Sequence, residues 1–443
     1  MKALWAILLC ASLAQAESTA FVNVNVLTMT DDTVLRAQTV LVKNGVIDAL
    51  GPVDATPVPE GTTIIDGTDR YLMPGLAEMH AHIAPVDSPG FQRTMDLFTV
   101  NGVTTVRGML GHPSHLTLRD RLLSGEAFGP RLVTSGPSLN GNSVSGAADG
   151  AAKVKAQADA GYDFLKLHPG LTRAEFDAID QAADEHGMRY AGHVSVAVGL
   201  RHSLSAGMAS IDHLDGYLVA LLPEDHDGAG GFGGFFDVLL ANDVDEARMD
   251  ELVAATLAAG TWNVPTQLLI ENVISAQTPE ELGRLPEMRY MPAETVANWV
   301  AVKKQVMASG MGRAVADKAI SIRRSLLLAL HEAGGRLLLG SDAPQIFNVP
   351  GFSTHRELAV LVDAGLSPYA ALTTGTRRAG EYLELDIGRI EPGALADLVL
   401  LDDNPLLDID NSRRVHGVML RGQWVSPQQR QAILDRYRRG DDS

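Results

Sequence analysis

Eight short apolar segments recur through the middle of this chain, each followed by a stretch with the spacing of an amphipathic helix. They read YLMPGLAEMH, VTTVRGM, RLVTSG, FLKLH, YAGHV, SIDHL, WNVPTQ and RLLLGSD, running from Tyr71 to Asp342. The intervening stretches place apolar residues at helical spacing, as in TRAEFDAIDQAADEHG, which closes on Gly187. Strands separated by helices cannot pair as hairpins, so each must cross over to a parallel neighbour. Eight such units predict an α/β fold, a (β/α)8 TIM barrel spanning residues 71–385. A barrel of this kind takes about 250 residues, and the surplus sits in two places. One is a Gly-rich acidic segment from Leu221 to Glu246, the other an insertion from Glu271 to about Asp317. Both follow late strands and would overhang the barrel mouth, as lids and pocket walls or as surface decoration.

The flanks have another character. Residues 17–70 read as short strands broken by turns, with Asn44-Gly45 between Val-rich runs as a hairpin signal. Residues 386–443 carry ADLVLLDDNP and VHGVMLRGQWV, again with strand alternation. The expectation is a small β-sandwich domain built from both chain ends.

The first sixteen residues differ again. Lys2 is followed by an apolar run from Ala3 to Ala14, and Ala14-Gln15-Ala16 offers small residues for cleavage. This predicts a secretory signal peptide over residues 1–16 and a secreted or periplasmic protein. No later stretch is apolar for long enough to span a bilayer, so no membrane association is expected. The formal net charge of −18 disfavours nucleic acid and leaves a small-molecule substrate as the expected partner. Such barrels often pair, so a homo-oligomer fits the reading as well as a monomer. Cys10, the single cysteine, lies inside the signal. The mature chain therefore has no disulfide, no thiolate nucleophile and no cysteine-bound zinc. Any metal must be held by histidine, carboxylate or something less usual.

The last residues of the eight strands carry the chemistry. The first strand ends in His80 and His82, the fourth carries Lys166, the fifth His193, the sixth His213 and the eighth Asp342. In a (β/α)8 barrel these ends converge on one face, where active sites are built. Strand alternation puts His80 and His82 on the same inward side. A lone strand-end histidine is more often a hydrogen-bonded structural residue than a ligand. Six polar groups on buried strand ends are another matter, because unpaired they would be costly. A pair of divalent metals explains them together. Lys166 is informative because a protonated lysine beside two dications would be repelled. If its amine adds carbon dioxide it becomes a carbamate, an anion able to bridge both metals. Two dications then balance carbamate, Asp342 and a bridging hydroxide.

PGLAEMHAH, FLKLH, AGHV, IDHLDGY, GSDAP and GALADLVLLD, in this order and after a small N-terminal sheet, resemble the amidohydrolase superfamily. More narrowly they are similar to its prolidase and imidazolonepropionase-like branch, which has a lysine-bridged binuclear centre. The resemblance implies that His80, His82 and Asp342 bind one metal and His193 and His213 the other. It also implies that carboxylated Lys166 is shared and that Asp342 doubles as general acid and base. Histidine, carboxylate and carbamate suit zinc best, and manganese, cobalt or iron can bind the same ligands. Two metals acidify a shared water and polarise the scissile carbonyl.

Ala84 stands where dihydroorotases carry a carboxylate-holding arginine. Tyr217, just beyond His213, is placed either to hydrogen-bond a substrate or to pack at the rim. His168 reads as a loop residue. The function expected is hydrolysis of an amide bond in a dipeptide-like or N-acyl amino acid substrate. A lactone, ester or cyclic amide hydrolase with the same centre is the alternative, and a non-catalytic metal-binding protein the remote one.

Overall fold

The computed structural model describes residues 18–226 and 235–440, so the expected signal peptide, residues 1–16, lies outside the described residues. Ser18–Leu27 (β1) pairs antiparallel with Val34–Lys43 (β2), which turns back as Val46–Pro52 (β3). The turn rests on Asn44 and Gly45, both in the left-handed region at φ 53° and 76°. That is the backbone an Asn-Gly hairpin supplies at low cost. Thr63–Asp66 (β4) and Tyr71–Pro74 (β5) run parallel to β1.

Each of the eight apolar segments then yields a strand. Leu76–Ala81 (β6), Val103–Gly108 (β7) and Arg131–Thr134 (β8) form a parallel three-stranded sheet. Leu165–Leu167 (β9), Tyr190–Gly192 (β10), Ser210–Asp212 (β11), Trp262–Val264 (β12) and Arg336–Leu337 (β13) form a parallel five-stranded one. The two meet at both ends. Ser135 bridges Phe164 in parallel, beyond β8, and Ala81 bridges Ala343, beyond β13. Across the second junction Met79 N donates to Leu339 O at 2.8 Å and His82 N to Ala343 O at 2.9 Å. This approach depends on Gly340, where a Cβ would lie 2.4 Å from Val264 Cγ1 and 3.0 Å from His80 Cβ.

The remaining strands are Leu398–Leu401 (β14), Val415–Leu420 (β15) and Gln423–Val425 (β16). β14 pairs antiparallel with β5, so both ends of the chain share one sheet. The strands join in a single eight-stranded hydrogen-bonded sheet, where a sandwich of two sheets was expected. Its core, including Phe21, Val24, Leu72, Leu398 and Met419, is fully buried.

Helices account for most of the Glu271–Asp317 insertion, among them Pro279–Gly283 and Ala293–Ala308. Leu282, Met288, Val296 and Trp299 of this insertion pack with Phe347, Val349 and Leu434 in a separate apolar cluster. Of the Leu221–Glu246 segment, residues 227–234 lie outside the described residues. No helix among the described residues is long and apolar enough to cross a membrane.

Candidate metal centre

The six side chains read from the strand ends form one chain of neighbours. His80 and Lys166 sit on β6 and β9, His82, His193 and His213 stand just past β6, β10 and β11, and Asp342 lies five residues beyond β13. His80, Lys166, His213 and Asp342 are almost wholly shielded from solvent, while His82 and His193 keep some exposure. His82 Nε2 lies 3.1 Å and His80 Nε2 3.6 Å from Asp342 Oδ1. His213 Nδ1 lies 3.8 Å from Asp342 Oδ2. The rings of His80 and His213 are 4.6 Å apart, as are those of His193 and His213. Lys166 joins the group through Asp212, whose Oδ2 accepts from Nζ at 3.2 Å and lies 3.2 Å from His80 Nδ1.

The backbone is bent to present them. His213 and Asp342 have φ of 63° and 62°, and Thr266 one of 45°. Left-handed non-glycine residues are costly, and a fold keeps them where surrounding contacts overdetermine them. Glu78, buried on β6, supplies several such contacts. Its carboxylate accepts from Ser341 N (2.7 Å), Ser341 Oγ (2.8 Å) and Thr354 Oγ1 (2.8 Å), fixing the residue before Asp342. Asn348 Nδ2 donates to Ser341 O, Asn272 Nδ2 to Asn348 Oδ1 at 2.8 Å, and Arg356 to Asn272 Oδ1 at 3.1 Å. At β10, Gly192 leaves room for the lysine, since a Cβ there would lie 2.9 Å from Lys166 Cδ.

Neighbours fix the ring orientations. His193 Nδ1 pairs with Asp215 Oδ2 at 3.0 Å, His213 Nδ1 with Thr266 Oγ1 at 2.7 Å and His82 Nδ1 with Gln345 Nε2 at 3.2 Å. Outer partners of this kind set the tautomer of a metal-binding histidine.

Charge is arranged to leave lone pairs free. Burial, reinforced by Lys166, holds His80 well below the usual imidazole range and pushes His82 down to about 4. Burial and His80 do the same to His213. Burial also lowers the Lys166 amine, against the pull of Asp212. It pushes the Asp342 carboxyl up to about 8, with Lys166 opposing. For Asp212 burial opposes the charge, but Lys166, His80 and Arg107 outweigh it and hold this carboxyl well below its ordinary value.

These neutral imidazoles test the fit of a metal. His80, His82 and Asp342 each offer an atom within 4.8 Å of the others. Asp342 Oδ1 is buried with no hydrogen-bond partner among the described residues, and the Nε2 atoms of His80 and His82 face it at 3.6 and 3.1 Å. A buried carboxylate oxygen without a donor, faced by imidazoles held neutral, costs free energy unless a cation fills the gap. The donor set fits a divalent ion.

Tyr217 is not part of this group. It is fully buried and its hydroxyl pairs with Thr256 Oγ1 at 3.1 Å, on the helix Met249–Ala259. Of the two readings of Tyr217, substrate contact or packing, the buried side chain and its bond to Thr256 agree with packing. His168, read as a loop residue, stacks on His193 with ring centroids 5.0 Å apart. Sequence reasoning passed over Asp212, Arg107, Glu78 and Asp215. Arg107, fully buried, donates to Asp212 Oδ1 at 3.1 Å and to Ser210 Oγ at 2.9 Å. The available signal was a charged residue inside each of the apolar runs VTTVRGM, GLAEMH and SIDHL.

The profile of the amidohydrolase family matches residues 71–425 of this chain. The chain belongs to the amidohydrolase family. It is thus a metal-dependent hydrolase of C–N bonds. Enamidase from Eubacterium barkeri is 24% identical over 372 residues, covering 83% of this chain and 82% of that protein. A putative prolidase from Bifidobacterium longum superposes with a TM-score of 0.68 at 23% identity, covering 95% of this amidohydrolase and 99% of that chain. Bottromycin amidohydrolase gives a TM-score of 0.70 at 24% identity, covering 95% and 90%.

Proposed function

We propose that this amidohydrolase cleaves the amide bond of a dipeptide-like or N-acyl amino acid substrate with a binuclear centre. His80, His82 and Asp342 would hold one divalent ion, His193 and His213 the other, with Lys166 shared. The carrying observation is the convergence of His80 and His82 on Asp342 Oδ1, beside a lysine buried without solvent contact. In the same reading the eight parallel strands close into a barrel, supported by the Ser135–Phe164 and Ala81–Ala343 bridges.

Two bound divalent ions, with zinc the best match to these ligands, supply an acidified water and a polarised carbonyl. The chain supplies the rest. Burial disfavours the charged form of Lys166; the neutral amine adds carbon dioxide: an N–C bond forms, one proton leaves, and the product is a carbamate anion. Asp342 accepts the proton of the attacking water and passes it to the leaving nitrogen. Asp215 and Thr266 keep His193 and His213 from rotating. Expulsion of water from these buried strand ends strengthens every interaction of charge within them.

Metal analysis of protein never exposed to chelator should find about two divalent ions per chain. Turnover against a panel of dipeptides, N-acyl amino acids and lactones should favour the amides. Trace metal alone would defeat the binuclear reading, and preference for lactones would move the chain to ester chemistry.

The apolar run from Ala3 to Ala14, followed by the Ala14-Gln15-Ala16 cleavage site, supports export to the periplasm or beyond, acting there on a small molecule. N-terminal sequencing of exported protein should begin at Glu17, and an intact Met1 on the soluble protein would refute it.

A further inference from the structure

A cavity of about 400 Å³, separate from the metal centre, opens where the insertion, the helix Phe352–Asp363, the β14–β15 connection and the C-terminal helix Pro427–Tyr437 meet. Its volume falls within the ~300–1,000 Å³ of small-molecule sites. Four guanidinium groups line it, those of Arg289, Arg356, Arg413 and Arg430, against the single carboxylate of Glu287. In a chain of formal net charge −18, such a concentration of positive charge is contrary to the rest of the surface.

Internal pairing leaves much of that charge unspent. Arg356 lies 3.6 Å from Glu287, and Arg413 pairs with Asp410 at 3.0 Å. Arg289 and Arg430 use their Nε atoms on the carbonyls of Pro286 and Val100. Among the described residues neither has a carboxylate within ion-pair distance, so their terminal nitrogens remain to face a ligand. His355 adds no charge, because its ring nitrogens are engaged by Ser412 and by Asn101 O in a buried position. Tyr290 and Phe352, stacked with centroids 5.1 Å apart, supply an apolar wall.

We propose that this cavity binds a small oxyanion, a phosphate or carboxylate group, at a second site remote from catalysis. Guanidinium donors match the oxygens of such groups bidentately, and four cations around one anion offset the mutual repulsion they otherwise carry. The ligand would tie four elements together that are far apart in sequence. Arg356 is also the outer end of the hydrogen-bond chain through Asn272 and Asn348 to Ser341.

The test is titration of the purified metal-loaded enzyme with inorganic phosphate, followed by calorimetry and thermal denaturation. Sodium chloride at equal ionic strength is the reference, since screening alone must be subtracted. Saturable binding and a rise in Tm beyond the chloride reference are expected. Arg289→Gln with Arg413→Gln, both on exposed side chains, should weaken binding by roughly tenfold or more, as each removes a charge-assisted bond. The double variant should keep the parental Tm without phosphate. Absence of saturable binding overturns the proposal. So does binding of undiminished affinity in the double variant, which would place the anion on the metals instead.

Discussion

Lys166 donates from Nζ to Asp212 Oδ2 at 3.2 Å, in a position where neither residue touches solvent. Asp212 is itself held by Arg107 and lies beside His80, so the lysine end is aimed into the group of histidines. Lys166→Ala removes the group that would become the shared anion. Metal content should fall well below that of the parent, and activity with it. Short carboxylic acids should restore part of the turnover by filling the gap. Full metal content and parental turnover in the variant would reduce the centre to a single-ion site.

Asp342→Asn separates binding from proton transfer. The amide still offers an oxygen but cannot take a proton from water. Turnover should drop by about a hundredfold to ten-thousandfold, while metal analysis shows much of the metal retained. Equal activity at equal metal content would leave Asp342 with a purely structural role.

Asp215 touches no substrate in this reading; it fixes the His193 ring through Nδ1 at 3.0 Å. Asp215→Ala should lower metal affinity by about 10–100-fold. Chelator competition measures this directly. An unchanged affinity would mean that stacking on His168 already suffices to hold His193.

Tyr217→Phe should leave kcat and KM close to parental, because the hydroxyl faces Thr256 and not the centre. Stability should fall by about 1 kcal/mol, the usual net worth of such a bond. A large loss of kcat at unchanged stability would return Tyr217 to the catalytic machinery.

Glu357 gives a pH test away from the metal ligands. It is buried, and although it accepts from Gln267 N (2.8 Å) and Leu268 N (2.6 Å), burial pushes its carboxyl up to about 8 from 4.5. A raised folded-state value means that the folded protein binds more protons than the unfolded chain between these two values. Its contribution is therefore fully present below pH ~4.5 and lost as pH rises through 8. Glu357→Gln should flatten this part of the decline, seen as a smaller fall in Tm from pH 5 to 8 than the parent shows. Parallel Tm profiles would mean that Glu357 is ionised throughout.

The sequence by itself determined the strand–helix alternation and the family. Both are written locally, in apolar runs of strand length, in helix spacing with closing glycines, and in the polar residues at the strand ends. His80, His82, Lys166, His193, His213 and Asp342 were legible because each breaks an apolar run at its end, where a buried polar group needs a reason. The tertiary structure decided which other polar groups share that space. Asp212, Arg107 and Glu78 also interrupt apolar runs, but nothing local distinguishes a partner of Lys166 from an ordinary buried ion pair. The link between Arg107 and Asp212 spans 105 positions, and that between Glu78 and Ser341 spans 263. Tyr217 shows the converse. Its place four residues past His213 left substrate contact and packing both open; after the left-handed turn at His213, Leu214 and Gly216 its side chain is buried with the hydroxyl on Thr256. Direction after such a turn depends on backbone angles set by distant packing, and a side chain follows its backbone.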